Sequence, residues 1–400
     1  MGNDAGLRHH SIRLSRYIPA AIPVQCAGCD PLIVNQPGRT DVTDTRIKST
    51  AENAISIDGV WKIFGDNWKP ALEDVQKNGA SKKQVLDQYN CVIGVADVSF
   101  EVARGEIFCV MGLSGSGKST LVRHINRLLE PSAGRISVGG QDVMQLQDLS
   151  LRKFRNEHIA MVFQNFALMP HRSVLDNVAL PLEIRGVNKN QRMKVAEQTL
   201  EMVELQGWGN KFAHELSGGM QQRVGLARAI AADPEVLLMD EPFSALDPLI
   251  RRQLQGQFME LATVMNKTTV FITHDLDEAV RIGHRIAIMR DGRVVQIGTP
   301  EEIVMNPADG YVADFVAGIS RLKVVRAHAV MRPVSEYEQQ FGPLPENGPS
   351  FNQDDNLSVL IRAAIDSNEP IRIVDNNRVS VGVITRKDLL TTVIEGTETS

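Results

Sequence analysis

Cysteine is scarce in this chain of 400 residues, with four copies, too few for a disulfide framework. Cys91 and Cys109 fall in apolar, strand-like runs and read as reduced core residues. Cys26 and Cys29 form a Cys-x-x-Cys pair, but a tetrahedral metal site needs two further ligands and no second such pair exists. Long apolar runs are also missing: nothing approaches the roughly 20 consecutive residues that cross a bilayer, so a membrane role has to come through a partner. There is no basic excess either. A net charge of −5 removes the positive field with which a dedicated nucleic-acid binder neutralises phosphates, and nucleic acid is not an expected partner. Near the start, Arg8, Arg13 and Arg16 precede the apolar stretch Tyr17–Val24, but Pro19 and Pro23 interrupt what would be a secretory core.

What remains is globular composition, with 43% hydrophobic and 23% charged residues, which argues for a folded chain over most of its length. Residues 1–53 are rich in Pro, Gly, Asp and Thr and are expected to be a flexible extension. From Ala54 the pattern turns to strand-like alternation, Ile55 to Val60, and a folded domain is expected over 54–317. Helix-spaced apolar residues flank Asn78-Gly79, so 69–90 reads as a helical hairpin inserted between strands. Val95–Val102 alternates like a strand, Ile107–Met111 is a buried parallel strand, and Ser119–Leu129 a helix. Further on come an amphipathic helix over 190–206 and two apolar strands, Val236–Met239 and Thr269–Thr273, giving an α/β domain with a parallel sheet. The pattern weakens after Phe315. The final region, 318–400, ends in a strand-strand-helix unit around the turn Asp375–Arg378.

Between the buried strand at 107–111 and its helix lies Gly112-Leu113-Ser114-Gly115-Ser116-Gly117-Lys118-Ser119-Thr120, a full match to Gly-x-x-x-x-Gly-Lys-Ser in the strand–loop–helix context it requires. Such a backbone turns its N–H groups on a polyphosphate, with Lys118 as point charge and the Ser119 hydroxyl placed for Mg²⁺. By itself the loop says only nucleoside triphosphatase, a class that includes GTPases, kinases and helicases. The strand Val236–Met239 ends in Asp240, suited to holding Mg²⁺ through water, and Glu241, suited to polarising an attacking water. A nucleoside triphosphate and Mg²⁺ are the expected ligands, and the resemblance described next makes the nucleotide ATP.

Leu216-Ser217-Gly218-Gly219-Met220-Gln221, directly before a helix, resembles the signature motif of ABC transporter ATPases. Ser217 and the bare amides after it form a second anion-binding surface at a helix start. The resemblance implies that this surface of one copy covers the γ-phosphate held by the loop of another, in a nucleotide-sandwich dimer. It also assigns roles in family order: Gln164 as the residue that senses Mg²⁺ and the γ-phosphate, Asp247 as the residue crossing the dimer interface, and His274 as the switch histidine. Adenine needs an aromatic platform, and Phe64 is the candidate, with Trp61 and Trp68 as rivals.

The resemblance spans about 54–317 and narrows further. The insertion at 69–90, ending Val92-Ile93-Gly94-Val95, is similar to the quaternary-amine importer subfamily, and Phe163–His171 resembles its segment facing the membrane subunit. The fold so implied is a P-loop NTPase ABC ATPase domain: a parallel-sheet core, antiparallel strands and a helical subdomain. The C-terminal Gly382–Asp388 resembles the end of a CBS module, which makes 318–400 a small α+β CBS-like regulatory region with Thr385 and Asp388 as ligand candidates; an ionic-strength or nucleotide sensor, a dimerising structural module and a degenerate tail are the alternatives for it. The subfamily implies an ATPase energising import of glycine betaine, proline betaine, proline or choline, at the cytoplasmic face of the cell membrane. Its partners would be integral permease subunits and a periplasmic or lipoprotein substrate-binding protein. The alternatives are an importer ATPase for another small solute and a soluble ABC ATPase.

Overall fold

The computed structural model describes residues 53–345, 348–367, 369–375 and 377–397. The expected N-terminal extension, with Cys26 and Cys29, lies outside them apart from Asn53. The chain enters as β1 (Asn53–Phe64). The inserted hairpin follows as α1 (Trp68–Asn78) and α2 (Lys82–Tyr89). In α1 the helix-spaced Ala71, Leu72 and Val75 are buried, and the helix stops at Gly79 in the left-handed conformation. A capping box between Ser81 and Gln84 starts α2. Strand β2 (Val92–Ala103) returns antiparallel to β1, so that the two ends of the insertion meet as the paired residues Phe64 and Val92.

Strand β3 (Ile107–Met111) is buried at every position, as a parallel strand covered on both faces must be. Helix α3 (Lys118–Ile125) ends earlier than its apolar spacing suggests, because Arg127 turns left-handed (φ 52) and its guanidinium bonds the carbonyls of Val143 and Leu146. Strands β4 (Ala133–Val138) and β5 (Gln141–Asp142) complete an antiparallel sheet of order β2-β1-β4-β5. The chain continues through α4 (Asp148–His158), β6 (Ile159–Val162), α5 (Val174–Ile184), α6 (Lys189–Met202), α7 (Gly218–Ala231) and β7 (Val236–Asp240). After these come α8 (Pro248–Met265), β8 (Thr268–Thr273), α9 (Leu276–Ile282), β9 (Arg285–Arg290) and β10 (Arg293–Gly298). The main sheet has the order β10-β9-β3-β8-β7-β6, and only its β10–β9 edge pair is antiparallel.

Two cores flank this sheet, and successive residues of β3 feed them alternately. Ile107, Cys109 and Met111 join the core under α5 to α8, whereas Phe108 and Val110 join the one around α3 and the antiparallel sheet. Burial pushes the Cys109 thiol pKa far up, in keeping with a reduced core residue.

Beyond β10 run α10 (Pro300–Met305), α11 (Gly310–Val316), α12 (Arg321–Val324), α13 (Val334–Phe341), β11 (Ser350–Asn352) and α14 (Leu357–Asp366). The chain closes with β12 (Ile371–Val374), β13 (Ser380–Ile384) and α15 (Arg386–Thr397), in the strand-strand-helix order its pattern suggests. Sheet β11-β12-β13 and α14 enclose a separate small core. Glu301 of α10 ties this region to the rest, facing Arg326 Nε at 3.4 Å and His328 Nε2 at 3.1 Å.

Phe271 of β8 packs fully buried between Phe243 and Phe258, at ring separations of 5.9 and 6.1 Å. Phe271→Ala is expected to destabilise the fold by about 3–5 kcal/mol, read as a lowered urea midpoint.

Candidate functional site

Parallel pairing brings the carboxyl ends of four neighbouring strands to one edge, where α/β sheets bind ligands. Met111 stands opposite Thr273, Ile272 opposite Asp240, and Met239 opposite Val162. The residues just past those ends are therefore neighbours in space: the loop after Gly112, then His274, then Glu241, then Gln164.

Gly117 has φ 101, and a Cβ there would fall 2.4 Å from the carbonyl oxygen of Gly94 on β2. Only glycine fits so close a backbone approach. Gly94 is itself confined, since a Cβ on it would lie 2.6 Å from Cε2 of Phe64. The loop is closed internally by Lys118, whose Nζ donates to the carbonyls of Gly112 (2.7 Å) and Leu113 (3.1 Å). Burial pushes the ammonium pKa down, against the opposing pull of Glu241 and Asp240. The Ser116 hydroxyl is buried without a partner, an orphaned polar atom inside a loop built for an anion.

At the base of the loop the Ser119 hydroxyl donates to Asp240 Oδ1 at 2.7 Å, and Arg123 Nη2 reaches Oδ2 at 3.3 Å. Hydroxyl and carboxylate oxygens are the hard donors that suit Mg²⁺. Among the described residues no group of three or more His, Cys, Asp or Glu could hold a metal.

Glu241 is left-handed (φ 46), a conformation that costs about 1–3 kcal/mol and has to be held by its surroundings. Its N–H donates to Ile272 of β8 at 3.1 Å. Its Oε2 accepts from His274 Nδ1 at 3.2 Å and from Gln164 Nε2 at 3.4 Å, while Ser244 Oγ also lies 3.4 Å from that amide.

Ser217 caps α7, its hydroxyl accepting from Met220 N at 3.4 Å. Gln221 Nε2 donates to Leu216 O. Among the described residues no hydrogen bond joins Leu216–Gln221 to Gly112–Thr120. Asp247 caps α8 by accepting from Leu249 and Ile250 N. Of the three aromatics considered for adenine, Trp61 is buried in the hairpin core and Trp68 packs partly against it, whereas Phe64 is 39% exposed with Lys62 Nζ 5.2 Å from its ring centroid.

In the C-terminal region Asp388 Oδ2 accepts from the N–H (2.8 Å) and hydroxyl (2.7 Å) of Thr385, and Oδ1 pairs with Arg332. Burial works to raise the Asp388 pKa, but these hydrogen bonds outweigh it and hold the carboxyl below its ordinary value. Thr385 and Asp388 are thus brought together as a helix-starting cap, with the carboxylate already engaged by protein donors.

Sequence reasoning missed Arg123 on Asp240, Ser244 beside Gln164, and Arg228, whose guanidinium donates to the carbonyls of Ala167 (2.6 Å) and Phe166 (3.0 Å). These contacts join residues more than 60 positions apart, and no local spacing signals them.

The ABC transporter family pattern matches residues 95–244. The glycine betaine transport ATP-binding protein OpuAA of Bacillus subtilis is 50% identical over 289 residues, 72% of this chain and 69% of that protein. The glycine betaine/proline betaine transport system ATP-binding protein ProV of Escherichia coli is 49% identical, over 70% of this chain and 69% of its own length. The trimethylamine N-oxide transport system ATP-binding protein TmoW of Ruegeria pomeroyi is 47% identical, over 84% of this chain and 96% of its own. Among solved structures, a dimeric ATP-binding cassette in a post-hydrolysis state bound to ADP and Pi superposes with a TM-score of 0.52 at 31% identity, covering 62% of this chain and 98% of that one.

Gly117→Ala has to displace the Gly94 backbone, a strain of about 1–3 kcal/mol. Retention of a fluorescent ATP analogue is expected to weaken about tenfold or more.

Proposed function

Because this chain belongs to the ATP-binding subunits of the quaternary-amine ABC importers, we propose that it hydrolyses ATP to drive uptake of a betaine-type solute through a membrane permease. The observation that carries this reading is the meeting of Lys118, Ser119, Asp240, Glu241, His274 and Gln164 at the carboxyl ends of four adjacent strands.

In this reading the amides of residues 112–120 and the Lys118 ammonium bind the phosphates, and Phe64 stacks on adenine. Ser119 and Asp240, with Gln164 nearby, would hold Mg²⁺, which supplies neutralising charge to the phosphate oxygens. Arg123 keeps the Asp240 carboxylate oriented. Glu241 acts as the base that polarises the attacking water. In the present geometry its carboxylate is engaged by His274 and Gln164, so both residues have to turn toward the nucleotide before Glu241 is free. Ser217 and the amides at the start of α7 complete the site from a second copy, and Asp247 lies where the two copies meet. Closure and reopening of that dimer move the permease through the Phe163–His171 segment, at the cytoplasmic face of the membrane.

The relatives carry the names of transport systems for glycine betaine, proline betaine, trimethylamine N-oxide, carnitine and choline. These share a small cationic or dipolar methylated-amine head, and that class is the proposed cargo, selected by a separate binding protein. The region 318–400 is read as a CBS-like regulatory module, on the support of its strand-strand-helix end.

Glu241→Gln keeps the shape of the side chain but not its basicity. It is expected to bind ATP as the parent does, lose turnover by about 10²–10⁴-fold, and elute as a dimer in Mg-ATP by light scattering. A variant that stays monomeric under saturating Mg-ATP would sink the composite site, and labelled glycine betaine uptake that survives in cells carrying only this variant would sink the transport role.

A further inference from the structure

Phe166 and Ala167 are consecutive non-glycine residues in the left-handed region, with φ 55 and φ 48. Neither side chain favours that conformation, so something outside the segment has to hold it. Its two ends are fixed from different directions. Gln164 lies against Glu241 and Ser244 on the side of the β7 end. At the far end the buried Asn177 of α5 accepts from Met169 N at 2.7 Å and donates to Met169 O at 3.1 Å. Between these anchors the segment runs along α7. The Phe166 ring comes within 3.8 Å of where a Cβ on Gly218 would stand, and its carbonyl oxygen within 3.7 Å of the corresponding point on Gly225.

From the same helix Arg228 spends its fork on the carbonyls of Phe166 and Ala167. Both partners are neutral, so the guanidinium is bound through geometry rather than by an opposite charge. We propose that Arg228 is a positioning residue that clamps the left-handed Phe166–Ala167 pair to the signature helix, so that Gln164 moves with α7. The proposal rests on the catalytic reading of Gln164 given above. It has a mechanical corollary: a shift of α7 pulls two backbone carbonyls, and the Gln164 amide follows. A lysine cannot replace the clamp, because a single ammonium does not span two carbonyls as the planar fork does.

The test uses the full chain and steady-state ATP hydrolysis. Arg228→Lys is expected to lower kcat about tenfold with KM for ATP within about twofold, since the phosphate loop is not touched. Ala167→Gly removes the penalty of the left-handed conformation. Placed in the Arg228→Lys background it is expected to restore at least about half of the lost rate. Arg228→Lys combined with Gln164→Ala should be no slower than the slower single variant. Parent-like kcat in Arg228→Lys, failure of Ala167→Gly to restore it, or additive losses in the double variant would each overturn the clamp. If Arg228→Lys does not fold, recovery of a cooperative melt by Ala167→Gly supports the clamp and its absence overturns it. Unchanged turnover in Gln164→Ala together with rescue by Ala167→Gly would leave the clamp standing and reject the role given to Gln164.

Discussion

Parallel registration of β3, β8, β7 and β6 is the constraint on which the rest of the site depends. Four strands running the same way end at one edge, and each hands its next residue to the same small volume. Because β3, β7 and β8 are buried at every position, a slip would disrupt the apolar packing on both sides of the sheet as well as misplace a ligand. The hydrogen bond from Ser119 to Asp240 joins the helix that follows the phosphate loop to the β7 end. The bond from Glu241 N to Ile272 O joins that same β7 end to β8 and holds the glutamate in a conformation it would otherwise leave. The site is thus specified by the core, and its few polar contacts refine what apolar packing has already aligned.

A second theme is the use of charge against backbone. Lys118 bonds two loop carbonyls, Arg127 bonds carbonyls around Val143, and Arg228 bonds those of Phe166 and Ala167. In each case a long cationic side chain bonds the carbonyls of a stretch outside the α-helices and β-strands. Such contacts are directional and short, and they place the irregular segments as firmly as secondary structure places the rest.

The parallel sheet, the phosphate loop and the inserted hairpin were legible in the sequence because each is local. Apolar runs such as Ile107–Met111, the glycine spacing from Gly112 to Gly117, and the caps at Gly79 and Ser81 all write their signal within a few residues. Contacts that depend on packing were not legible. Arg123 meets Asp240 across 117 positions, and Arg228 meets Phe166 across 62. Trp61 could not be separated from Phe64 until burial placed one in the core and left the other exposed. Thr385 and Asp388 carry a ligand-like spacing, but the same spacing makes a helix cap, and Arg332 adds a third party from elsewhere in the chain.

The inserted hairpin leaves the sheet at Phe64 and re-enters at Val92, two residues that face each other in the strand pair. Its ends therefore close over the span of one strand pair, whatever lies between them. Loop closure entropy grows only slowly with length, so the segment behaves as a detachable graft whose length the host sheet barely feels. Its own core, built from Leu72, Val75 and Val85 against Trp61 and Ile63, lets it keep a fixed shape while the register of the catalytic sheet stays indifferent to its presence. A subfamily can in this way acquire a new surface without renegotiating the geometry of its active site.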